Sequence, residues 1–212
     1  MRRSTVLFAS TIGLAVLYLA AAATLGTTPD PDDRASTVAG WFRDHGGNVR
    51  TWMWLLTLAL PLLAVVAAFI RGHLPAPHGD IFFFGAVALA AETAIQGWLW
   101  AGMAWHANQL APATARTLLD VASYWGPVVT SASIAMLAPI AILGWQRRAG
   151  LTRWLGILAA IALIEQIVET ITIFGSRGFF APGGPMNLYV GAPLFLIVFV
   201  SLGVTVARAI PD

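Results

Sequence analysis

Glu92, Glu165 and Glu169 are acidic side chains set inside long apolar runs, the arrangement of an intramembrane acid/base site. Placing a carboxyl group at the centre of a bilayer costs at least about 2.5 kcal/mol on insertion scales. Such a group therefore faces the protein interior and by default handles protons, ions or substrate. Glu165 and Glu169 stand four residues apart, neighbours on one helix face, where two ionised carboxylates repel and a shared proton relieves the repulsion. Glu92 heads a second stripe, in which Gln96, Leu99, Met103 and His106 follow at helical spacing. Asp120 and Tyr124 form another i, i+4 pair that would enter from a third helix. The expected result is one polar cavity. In it Glu92 is carried as a neutral acid and the Glu165/Glu169 pair keeps one charge with which to accept a proton. The competing account is a set of hydrogen-bonded clamps between helices, worth about 0.6 kcal/mol each, which suits one buried Glu better than three on two helices.

These residues need helices that cross a membrane, and the composition supplies them. Of 212 residues 58% are apolar and 10% are charged, against roughly 25% charged in an ordinary soluble domain. Apolar runs extend over Thr5 to Thr24, Thr51 to Ile70, Ile81 to Trp105, Tyr124 to Gly144, Trp154 to Phe174 and Leu188 to Ala207. Each is long enough to cross a core of about 30 Å at about 1.5 Å per residue. The alternating ten-residue segments of a membrane barrel are absent. The expected fold is all-α, a single transmembrane domain of six helices spanning residues 1–212. Arg2 and Arg3 precede the first run, as in a signal peptide, but the run exceeds a signal h-region and is expected to remain as a helix.

Loop arginines set the expected orientation. With the N-terminus inside, Arg2, Arg3, Arg71, Arg147, Arg148, Arg153 and Arg208 fall on the inner side, while Arg34, Arg43, Arg50, Arg116 and Arg177 fall outside, an N-in, C-in arrangement. Asp32-Asp33-Arg34-Ala35 leads into Val38, Trp41 and Phe42 at i, i+3 and i+4, which predicts a short amphipathic helix on the outer interface. Pro112 opens a helix that runs past Asp120, so the fourth span should protrude outward. Gly175 to Pro185, with the pair Phe179-Phe180, is a candidate lid.

Trp41, Trp52, Trp54, Trp98, Trp100, Trp105 and Trp125 crowd the outer half. An interfacial belt accounts for most of them, and an aromatic-lined pocket for a cation or apolar ligand is the alternative for Trp98 and Trp100. Pro61, Pro127, Pro139 and Pro193 are read as kinks. Asn187 to Pro193 is not read as a helix break, and no internal repeat is evident.

Several classes fall away. All twelve basic residues are Arg, scattered through the chain, so no nucleic-acid surface forms. With no Cys, four dispersed His and no nucleotide or metalloprotease fingerprint, neither a metal nor another cofactor is expected.

Trp41-Phe42-Arg43-Asp44-His45, Leu110 to Arg116, Arg153-Trp154-Leu155-Gly156 and Phe180 to Pro185 resemble landmarks of an actinobacterial family of polytopic membrane proteins with no established activity. The resemblance covers most of the chain and implies six helices. It implies no site residues.

The leading functional expectation is a small membrane enzyme for proton-driven isomerisation or cyclisation of a lipophilic substrate, terpenoid or polyketide. Glu92, Glu165 and Glu169 would be catalytic, and Gln96, Trp98, Trp100, His106, Asp120 and Tyr124 would line the substrate. The chemistry is similar in logic to that of integral membrane terpene cyclases. The alternatives are a proton-linked transporter using the same acids as a relay, and a non-catalytic accessory protein. The expected partners are the bilayer and that small molecule, and the spacing sets no oligomeric state.

Overall fold

A computed structural model of the chain describes residues 2–30 and 32–210. Its helices are α1 (Arg3–Leu25), α2 (Ala35–His73), α3 (His78–Trp105), α4 (Pro112–Ser123), α5 (Trp125–Trp145), α6 (Arg153–Glu169) and α7 (Ala192–Ala209). The described residues form no strand. Six helical stretches are long and apolar enough to cross a membrane, with α4 and α5 counted as one. The protein is an all-α bundle of six membrane-spanning helices.

The amphipathic segment around Val38, Trp41 and Phe42 is helical as expected and runs without a break into the second span, giving α2 its 39 residues. Pro112 lies in the first turn of α4, where its missing N–H costs nothing. The fourth span is thus extended at its N-terminal end by α4, which meets α5 at Tyr124. Pro61 and Pro139 lie inside their helices. Pro193, in contrast, opens α7, so it starts a helix rather than kinking one.

Neighbouring helices pack in the order α1, α2, α3, α5, α6, α7, and α7 returns to α1. The fourth span is the most enclosed, with 61% of its apolar window buried against 22% for α3. Lipid tails are as apolar as Leu, so helices associate in a bilayer through close packing of small residues. Here Gly85 lies against the Ala132 carbonyl of α5, and Gly144 of α5 meets Gly156 of α6 backbone to backbone.

Two apolar cores divide the bundle along its length. One collects Leu7, Val66, Phe82, Leu143, Leu155 and Val206, contributions from every membrane-crossing helix at the end that holds both termini. The other, at the opposite end, collects Ala21, Phe42, Trp52, Trp100, Met103 and Leu119 and draws on α1 to α4 alone. At that end the buried residues of α5, α6 and the turns beside them include the polar Thr130, Gln166, Glu169, Thr172 and Asn187.

Candidate functional site

The polar region is built where two helices lose their α geometry. After Glu169, α6 tightens into a 3₁₀ turn over Thr170–Phe174, and α7 is preceded by a π-helix over Met186–Gly191. Irregular backbone at membrane depth is tolerated where it is buried in protein or lines a cavity, and single π turns concentrate at functional sites. Asn187 to Pro193 is not a helix break, as expected, but its first part is wound as a π turn that runs straight into α7. The π turn carries Asn187 to the acids of α6.

Glu169 is 2% exposed and Asn187 3% exposed. The Asn187 amide Nδ2 donates to Glu169 Oε1. Gln166, also buried, donates both amide hydrogens from Nε2, one to Glu169 Oε2 at 2.7 Å and one to Glu165 Oε2 at 2.8 Å. Neither acid forms an ion pair among the described residues. The fourth carboxyl oxygen, Glu165 Oε1, is buried without a partner, as are Asn187 Oδ1 and the hydroxyl of Thr172. The two carboxyl groups are bridged by a neutral amide and faced by no cation among the described residues, and a carboxyl group has an ionised and a neutral state. Asn187 suits both states. Its Nδ2 donates to a carboxylate, and after a half-turn of the amide the unused Oδ1 accepts from a carboxylic acid.

Glycine lets the groups approach this closely. A Cβ at Gly126 of α5 would fall 2.7 Å from Asn187 Cγ, and one at Gly191 would strike Glu169 Oε2 and lie 2.9 Å from Gln166 Nε2. Gly191→Ala is therefore expected to displace the Glu169 carboxyl and cost about 1–3 kcal/mol. A thermal melt of the detergent-solubilised variant against wild type measures it.

The remaining expected site residues are dispersed. Glu92 is half-buried on α3, with Oε2 enclosed and unpartnered, and it makes no side-chain hydrogen bond to Gln96 or to the α6 acids among the described residues. On the same helix Gln96 is half-buried, whereas Leu99 and Met103 pack in the α1–α4 core, and α5 packs on both α3 and α6. Trp98 is 66% exposed and faces outward, whereas Trp100 is buried against Trp41, Phe42 and Trp52. The aromatic pocket expected of this pair is instead a packed aromatic core, with the two rings on different faces. His106 is exposed at the end of α3. Asp120 pairs with Arg116 of its own helix at 2.9 Å, and Tyr124 is 45% exposed where α4 meets α5. The expected lid is a compact connection, its Gly183 packed on Ser123 and its Phe179 and Phe180 rings edge to face.

Sequence reasoning missed Asn187, Gly126 and Gly191. The signal for them is Pro185, Gly191 and Pro193 bracketing the one amide in that stretch. The chain matches no family model, no curated protein and no solved structure.

Proposed function

We propose that the chain is a proton-linked carrier of a small molecule in the bacterial plasma membrane, with both termini cytoplasmic and an actinobacterial source. The observation that carries this reading is the buried Glu165–Gln166–Glu169–Asn187 network, held between the 3₁₀ end of α6 and the π turn before α7. Intramembrane carboxyl groups serve as proton relays in pumps and carriers, and π turns inside helices gather at functional sites. A proton moving on or off the pair changes which hydrogen bonds Asn187 makes. That couples protonation to the backbone junction on which Asn187 sits.

A second reading keeps acid/base isomerisation or cyclisation at the same pair, independent of Glu92. It is favoured by the half-buried Glu165 with its unpartnered Oε1, one residue from the 63% exposed Ile164.

Mass spectrometry of metabolites in cells and medium separates the two, comparing wild type, a deletion and the complemented deletion. A compound redistributed between cells and medium supports the carrier. A lost product with an accumulated isomeric precursor supports the enzyme and overturns the carrier.

A further inference from the structure

A second polar feature lies outside the acid network, at the end of the bundle away from the termini. Arg43, Gly46, Gly47 and Arg50 recur at i, i+3, i+4 and i+7 on α2, which puts two guanidinium groups on one helix face with bare backbone between them. The end of α3 and the 3₁₀ turn Ala107–Gln109 form the opposite wall, so that Arg43, Gly47, Arg50, His106, Asn108 and Gln109 line a half-open cavity of about 280 Å³.

Both arginines use Nε on a carbonyl of their own helix, Ala39 for Arg43 and Gly46 for Arg50. This leaves the outer nitrogens free of any protein acceptor among the described residues. Asp44 follows Arg43 but is turned about 100° around the helix. Gly46 is explained by packing, since a Cβ there would lie 3.2 Å from the Ala104 carbonyl. Gly47 is not, because a Cβ there would meet nothing within 4 Å. A glycine inside a helix costs about 1 kcal/mol relative to Ala, and what this one leaves is open floor between two arginines. Two planar guanidinium forks, which only donate, with the NH2 groups of Asn108 and Gln109 able to donate beside them, make the chemistry of a phosphate site.

Arg50 directly precedes the apolar run of the second span, and Trp105, 67% exposed, stands beside His106, so the cavity lies at the headgroup level of the membrane. We infer that it binds a phosphate group, supplied by a lipid headgroup or by a free phosphate compound. The site is independent of the Glu169 network and of the function proposed for it.

The test is equilibrium binding to the purified full chain in detergent, with short-chain phosphatidylglycerol as one probe and inorganic phosphate as the other. Wild type is expected to bind at least one. The double variant Arg43→Gln/Arg50→Gln is expected to weaken binding about tenfold or more, because each charged hydrogen bond lost is worth about 1.5–3 kcal/mol. Gly47→Leu, which fills the floor and keeps both charges, should weaken binding with a thermal melt no lower than wild type. Binding of phosphatidylglycerol that millimolar phosphate does not displace identifies a headgroup site, and displacement identifies the phosphate group alone as the ligand. If wild type binds neither probe, or both variants bind as wild type does, the assignment is overturned.

Discussion

Glu169→Gln is expected to reduce proton-gradient-driven movement of the transported compound to below about a tenth of wild type while leaving the bundle assembled. Gln has the shape of Glu and can mimic the neutral acid, so the contacts with Asn187 and Gln166 survive after the amides reorient. What is lost is the second state, because a Gln side chain neither gains nor releases a proton. Glu92→Gln lies outside the network and should retain most of the activity. The measurement is uptake of the compound identified by the metabolite comparison into proteoliposomes with and without an imposed pH gradient. If Glu169→Gln and wild type respond equally to the gradient, the proton-linked reading fails. If Glu92→Gln alone abolishes the response, the essential acid is on α3 and the α6 pair is structural.

The acids were legible in the sequence because a bilayer makes their cost conspicuous, and the pairing of Glu165 with Glu169 followed from helical spacing. Their environment was not. Asn187 reaches Glu169 across 18 positions of chain through a π turn, and a period of 3.6 residues carries no information about such a junction. Depth also misled for Glu92. Two residues equally far along spans that cross in the same direction, as the third and fifth do, share a height in the membrane, but height does not say which way each faces, and here another helix packs on both. Trp98 and Trp100 show the same point at short range. Two residues apart on a helix they differ by about 200° in direction, so one enters the core and the other the surface.

The six spans were legible because length and apolarity alone decide them. Where the sequence suggested a separate interfacial helix, the weak helix formers Gly46, Gly47 and Asn48 lie between the amphipathic turns and the apolar run. The helix nevertheless passes through them. Val38, Phe42 and Val49 are all buried in the same core, and packing of that continuous face outweighs local propensity.

The same logic of close approach predicts the largest loss of stability. Gly156→Leu is expected to destabilise the bundle by about 3 kcal/mol or more, and Gly156→Ala by about 1–3 kcal/mol. A Cβ at this position would lie 2.5 Å from the Trp145 amide nitrogen and 2.6 Å from the Gly144 carbonyl carbon. Those atoms are backbone, so no side-chain rotation can make room. Relief requires α6 to move away from α5 at the point where Gln146 to Thr152 joins them. That turn is itself constrained, by left-handed residues at Ala149 and Gly150 and by the His73 Nε2 contact with the Ala149 carbonyl at 2.9 Å. Displacing α6 here also shifts the base of the helix that carries Glu165 and Glu169, so activity should fall with stability. Thermal melts of the three proteins in detergent should order as wild type, Ala, Leu from most to least stable. A Leu variant that melts with wild type would mean that α5 and α6 do not cross in contact, which would also remove the support for the acid pair's position beside α5.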